Sequence, residues 1–220
     1  MTKKRLSIAS AVLVMAMVAI AAWVASKLPA EAQLPTHWGI DGQPDGLSDK
    51  WTALLMPALI AAGVSALMYF LPALEPRKGG LERSQGLYMA SWAGLLVLME
   101  LVQLAVIAAA FNWPITSTSL ILGGTGLLFV LIGNQLGKSR SMYLVGIRTP
   151  WTLASEEVWI KTHRLAGKLM VAGGALLAVA AFLPLTAGAL ATLLFGVIFA
   201  IAGVPILYSY MLWRREQTAR

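Results

Sequence analysis

Six stretches of this chain, near residues 6–26, 52–72, 87–111, 115–136, 165–183 and 187–213, are continuously apolar and each long enough to cross a bilayer. No other feature restricts the fold as much. A hydrocarbon layer about 30 Å thick takes about 20 apolar residues in helix. Backbone amides in lipid must pair within a helix or a closed barrel. The runs lack the alternation of barrel strands. The chain is therefore expected to be all-α: a polytopic membrane helical bundle with about six transmembrane helices. Charged residues make up 12% of the sequence, half the share of a soluble domain at about 25%.

The charge between the runs predicts orientation. With the N-terminus inside, the inner segments hold Lys3, Lys4, Arg5, Arg77, Lys78, Arg83, Lys138, Arg140, Arg148, Lys161, Arg164, Lys168, Arg214, Arg215 and Arg220, leaving only Lys27 and Lys50 outside. That bias predicts that both termini are cytoplasmic. Lys3 to Arg5 before an apolar run also resemble a secretory signal, but the run exceeds the usual apolar core of about 7–15 residues and reads as an anchor. Cysteine is absent, which excludes disulfides, thiolate metal sites and a cysteine nucleophile. The basic residues sit at membrane borders, so membrane lipid is the expected partner, and direct nucleic-acid binding is not.

The spans suggest two regions. Residues 1–80 form a two-span part with an extracellular loop at 27–51, and residues 81–220 a four-span part with a cytoplasmic loop at 137–164. The extracellular loop reads LPTHWGIDGQPDGLSDKW over 34–51. Its closely spaced Gly, Pro and Asp predict consecutive tight turns and neither helix nor strand. Asp41, Asp45 and Asp49 recur every fourth residue, yet without EF-hand spacing, so turn chemistry is preferred to a metal site. His37 is a candidate proton-sensitive contact, and Trp38 and Trp51 suit the membrane interface. No metal or cofactor is expected.

Within the third run stands Glu100, an acid in an apolar span and hence a candidate functional group that should face the bundle interior. Gln103, one turn on, could hydrogen-bond it. Structural glue between helices explains the pair equally well. Glycines such as Gly123, Gly124, Gly126, Gly173, Gly174, Gly196 and Gly203 would let helices approach closely, and Pro57 and Pro205 interrupt their runs.

The longest polar stretch is GNQLGKSRSMYLVGIRTPWTLASEEVWIKTHRLAGKL, running from Gly133. Gly133 and Asn134 end the fourth span, and Gly137 and Gly146 permit chain reversal. Thr149-Pro150 predicts a helix through Arg164, capped by Thr149 or Thr152, with Glu157 and Lys161 as an i, i+4 pair. Trp159 and His163 would share a face of that helix, which would lie amphipathically at the membrane surface.

This stretch resembles the signature of the SdpI immunity-protein family, on GIRTPWTL followed by SEEVW and THRLAG. The earlier LPTHWGIDGQPDGLSDKW resembles the N-terminal domain of unknown function that often precedes it. The resemblance implies a multi-pass protein of the bacterial cytoplasmic membrane that protects a cell against a secreted toxin peptide. In some members it also implies sequestering a cytoplasmic repressor at the membrane, so toxin and repressor are the implied partners. Asn134, Lys138, Arg140, Gly146, Arg148, Thr149, Pro150, Trp151, Thr152, Ser155, Trp159, His163 and Arg164 match the motif. One departure is Met142, where relatives often carry Asn. Arg148 could brace the loop through Glu156 or Glu157, and His163 could bond a loop carbonyl or sense pH.

Immunity by peptide binding is the reading these residues favour. A transporter reading rests on Glu100 and the proline-broken spans, against which stand the lone acid and the absence of an inverted repeat. A membrane enzyme would have to use His163 with Ser155, Glu156 or Glu157, and no HExxH or GxSxG pattern supports it. The protein is therefore expected not to be an enzyme.

Overall fold

The computed structural model describes residues 2–39 and 42–218. Among them are six helices long and apolar enough to cross a membrane. They are α1 (Lys3–Lys27), α2 (Lys50–Leu74), α4 (Gln85–Ala110), α5 (Ser117–Leu136), α7 (Glu156–Ala180) and α8 (Ala187–Thr218), with short helices α3 (Lys78–Arg83) and α6 (Pro150–Ala154) between them. The chain is an all-α, multi-pass membrane protein, as the apolar runs required. Successive spans reverse direction, so the links at 28–49, 111–116 and 181–186 share one end of the bundle. The other end carries both termini and the links at 75–84 and 137–155.

α1, α2 and α4 pack against one another, and α5, α7 and α8 extend that group in chain order. Gln103 fastens the first three. Its amide donates to the carbonyls of Met17 on α1 and Leu54 on α2, both at 3.0 Å. Burying an amide without partners would cost a few kcal/mol, so the side chain ties three spans together at one depth. α5 and α7 cross through glycine pairs spaced by seven residues. A Cβ on Gly126 would lie 2.5 Å from the Gly174 carbonyl oxygen, and one on Gly167 would lie 2.7 Å from that of Gly133. Only backbones without side chains can approach so closely. Gly126 and Gly174 thus do the packing work expected of them, whereas a Cβ on Gly196 would meet nothing within 4 Å.

Two expectations need correction. The loop between the first two spans is not a series of turns: β1 (Gln33–Trp38) and β2 (Pro44–Asp49) pair antiparallel, Gln33 opposite Asp49 and Pro35 opposite Leu47. Turn chemistry is confined to the tip, where Gly42 has φ 76°. In a two-stranded ribbon both strands are edges, so Pro35 and Pro44 need not donate to a ladder. Leu34 buries itself against α1 and α2. Lys50 holds the ribbon's base, donating from Nζ to the Ala25 and Leu28 carbonyls at 3.0 and 2.9 Å, which satisfies the open C-terminus of α1.

The second correction concerns residues 150–164, which do not form one surface helix. α6 stops after five residues, Ser155 adopts an extended conformation, and its hydroxyl accepts the Val158 N–H at 3.3 Å to cap α7. Glu156 and Glu157 occupy the first turn of α7, where acids suit the helix dipole. The fifth span therefore begins at Glu156 and carries Trp159 and His163 into the bundle as buried residues.

Candidate functional site

The links 75–84 and 137–155 fold together into a cap over one end of the helices. Its anchor is Glu75, at the end of α2 and only 3% exposed. The carboxylate accepts backbone N–H groups from Arg77 at 3.0 Å, Tyr143 at 3.0 Å and Leu144 at 2.9 Å. Arg77 reaches the same segment from the other side. Its guanidinium donates to the Ser141 hydroxyl, to the Leu153 carbonyl at 3.2 Å and to the Tyr143 hydroxyl at 3.3 Å, and it sits 4.6 Å from the centre of the Tyr143 ring. Ser84 accepts the Arg140 N–H at 2.9 Å. A short basic link thus grips the longer one by its backbone.

The signature residues complete the cap from within. Gly146 has φ 115°, a backbone geometry that suits glycine. It brings the Ile147 N–H to His163 Nε2 at 2.8 Å. Nδ1 of His163 lies 2.8 Å from the Trp159 carbonyl. A neutral ring protonated on Nδ1 satisfies both contacts, and a second proton on Nε2 would expel the Ile147 N–H. His163 therefore meets a carbonyl of its own helix and a loop N–H, not the loop carbonyl expected, and it is fully buried with its accepting nitrogen occupied, so it is not set up to sense pH. The Trp159 ring stacks on it at 3.9 Å and donates to Ser139 at 3.2 Å.

Thr149 caps α6, with Pro150 in the first turn. The two threonines reciprocate: Thr149 Oγ1 accepts the Thr152 N–H at 3.2 Å, and Thr152 Oγ1 accepts the Thr149 N–H at 2.9 Å and donates to the Ile147 carbonyl at 2.8 Å. Trp151 donates to Ser209 on α8 and packs edge-on against Tyr210 at 5.4 Å. Ser155 reaches Glu216 on the same helix at 3.1 Å.

Arg148 departs from expectation. It pairs with neither Glu156 nor Glu157, but donates to the Tyr143 carbonyl at 2.6 Å and stays exposed. Glu156 is 3.9 Å from Arg140, and Glu157 binds Lys161 at 2.5 Å, the i, i+4 pair read from sequence. His163, Ser155 and the two glutamates are thus each engaged elsewhere and form no shared catalytic constellation.

Asn134, Lys138 and Arg164 are separate from the cap. With Lys168 they line a groove of about 460 Å³ where α5 and α7 cross. Glu100 also departs from expectation: it is half-buried and lines a groove of about 460 Å³ between α1 and α4, beside Trp23, Leu104 and Phe111, while its neighbour Gln103 takes the interior position. At the far end His37 Nδ1 lies 2.5 Å from Asp45 on the exposed ribbon. Asp41 lies outside the described residues. Among the described residues no group of three acidic or histidine side chains could hold a metal ion.

Sequence reasoning missed Glu75 and Ser84, and took Arg77 only as one of the charges that predict orientation. The available signal was Glu75 itself, an acid in a segment whose other charges are mostly basic. Met142 is fully buried in the apolar cluster with Leu81, Tyr88 and Trp159, so this position carries packing.

The resemblance read from the sequence is borne out by comparison. Residues 138–209 match the SdpI/YfhL protein family, and residues 12–61 match a domain of unknown function, DUF1648. The protein named Immunity protein SdpI from Bacillus subtilis (strain 168) is 25% identical over 150 residues, covering 68% of this chain and 70% of that protein. No solved structure matches significantly.

Proposed function

From the SdpI/YfhL match over residues 138–209, we propose that this chain is an immunity protein of the bacterial cytoplasmic membrane, protecting its cell against a secreted antimicrobial toxin peptide. The observation that carries the reading is the coincidence of that match with the folded cap, in a chain similar along two thirds of its length to a protein named for immunity. The charge bias supports a cytoplasmic location for the cap. The cap then acts as a fixed platform. Glu75, Arg77, Trp159 and His163 hold its backbone, while Tyr143, Arg148 and Pro150 stand exposed on it.

Two consequences of toxin engagement are open to such a platform: exclusion of the peptide from the membrane, and display of the cap to a cytoplasmic repressor. Arg148 is the residue to change, because it is exposed and makes one bond to the protein, so its loss leaves the fold standing. The test is survival of a susceptible bacterium expressing wild type or Arg148→Ala during exposure to the toxin peptide of an SdpI system. Protection by wild type, lost in the variant at equal membrane levels, supports immunity acting through the cap. Full protection by the variant assigns the loop a structural role, and no protection by a well-inserted wild type overturns the reading.

A further inference from the structure

Three cations converge on one groove without a protein partner. Lys138 closes the end of α5, while Arg164 and Lys168 stand one turn apart on the facing side of α7. Among the described residues none of the three makes a side-chain hydrogen bond or ion pair, in contrast to Arg77, Arg140, Arg148 and Lys161. Among the described residues no carboxylate lines the groove. The nearby acids Glu156 and Glu157 already face Arg140 and Lys161.

Its floor is backbone. A Cβ on Gly133 would lie 2.9 Å from the Gly167 carbonyl oxygen, and one on Gly137 would lie 3.3 Å from the Arg164 Cα. With the two helices this close, the longer side chains splay to the rims and leave a cleft of about 460 Å³. The lining is graded along α7. Arg164 and Lys168 come first, then Val171 and Ala172 one further turn toward the middle of the span. On α5 Asn134 sits one turn below Lys138.

We propose that this groove binds an anionic glycerophospholipid, its phosphodiester held by Lys138, Arg164 and Lys168 and its acyl chain laid over Val171 and Ala172. Asn134 lies at the depth of the ester carbonyls, where its amide is a suitable donor. The polar-to-apolar order selects an amphiphile over a free anion, because phosphate alone would leave the apolar half of the cleft empty. Basic pockets between spans on the cytoplasmic side are suited to such headgroups, and each nearby Lys or Arg contributes a roughly fivefold share of the attraction. The site is independent of the immunity reading.

The test uses the full chain in nanodiscs of phosphatidylcholine doped with fluorescent phosphatidylglycerol, and compares three triple variants. Lys138→Gln/Arg164→Gln/Lys168→Gln should weaken phosphatidylglycerol binding on the order of a hundredfold. The control Lys4→Gln/Arg5→Gln/Arg215→Gln removes the same charge from the same end and should stay near wild type. The charge-preserving Lys138→Arg/Arg164→Lys/Lys168→Arg should retain most binding, which separates lost contacts from a lost fold. Equal losses in both neutralised triples would mean diffuse surface charge, and would overturn the proposal. So would unchanged binding in the first triple, or displacement of the lipid by inorganic phosphate.

Discussion

Replacing Glu75 with Ala should detach the cap while sparing the bundle. The carboxylate accepts two N–H groups from the long link, those of Tyr143 and Leu144, and one from Arg77 beside it. A hydrogen bond to a charged group contributes about 1.5–3 kcal/mol, and a buried donor left unpaired costs about 1–3 kcal/mol. Tyr143 is exposed, so water can reach its N–H once the carboxylate is gone. The Leu144 bond deserves full weight and the Tyr143 bond about half. The two cross-link bonds therefore sum to about 3 kcal/mol. Arg77 is local to Glu75 and adds little to the joining of the two links.

An opening free energy lowered by about 3 kcal/mol raises the exchange rate of protected amides on the order of a hundredfold. Hydrogen exchange with mass-spectrometric readout on peptides spanning 140–149 measures this, with α2 and α4 peptides as internal reference. Glu75→Gln keeps one oxygen acceptor and loses the charge, so it should fall between wild type and Glu75→Ala. Uniformly faster exchange along the chain would refute the reasoning, because Glu75 would then support the bundle as a whole. Unchanged exchange in the cap would refute it equally.

Gly146→Ala should also open the cap, by a steric route. Its Cβ would lie 2.6 Å from His163 Nε2 and 2.9 Å from the Trp159 ring at a φ of 115°. A loss of about 1–3 kcal/mol is expected, read as an earlier thermal change in tryptophan fluorescence, and an unchanged transition would count against the geometry. At the ribbon's base, Asp49 caps α2 and has its carboxyl below the ordinary value, chiefly through the Thr52 hydroxyl, then the backbone N–H groups of Thr52 and Trp51. A depressed folded value means the cap's contribution is complete above the unfolded value and fades as pH falls through the folded one. Acidification below about pH 4 should loosen the first turn of α2 in wild type, and exchange in Asp49→Asn should lack that pH dependence.

What could be read from the sequence follows from the range of each interaction. Six spans were legible because hydropathy acts through every residue of a run. The cap was partly legible: Thr149-Pro150 starts a helix as expected, and the Glu157 to Lys161 pair forms. The break at Ser155 was also written there, as a serine followed by two acids, a common helix start. It was overlooked because the proline before it offered a start of its own. The ribbon was hidden by Pro35, Pro44 and Gly46, turn formers that a two-stranded edge tolerates. The Glu75 contacts were not legible, since a carboxylate binding backbone N–H groups 68 and 69 residues away leaves no pattern in side chains.

The cap also changes what the signature means. Thr152, Trp159 and His163 look like binding residues in sequence, yet each is buried and spends its polar atoms on the backbone of the cap or of α7, or on Ser139. Asn134, Lys138, Arg148, Pro150 and Arg164 face outward. Loss of protection after changing an inward residue therefore reports first on whether the cap folds, and carries no information about what the cap touches. Outward residues separate the two questions, and they do so in two places. Arg148 and Pro150 lie on the cap, while Asn134, Lys138 and Arg164 lie on the α5 and α7 groove. If immunity needs a contact on the cap alone, the Arg148 variant loses protection and the groove variants lose only lipid. If both lose protection, a lipid in the groove is part of what steadies the platform on which the toxin acts.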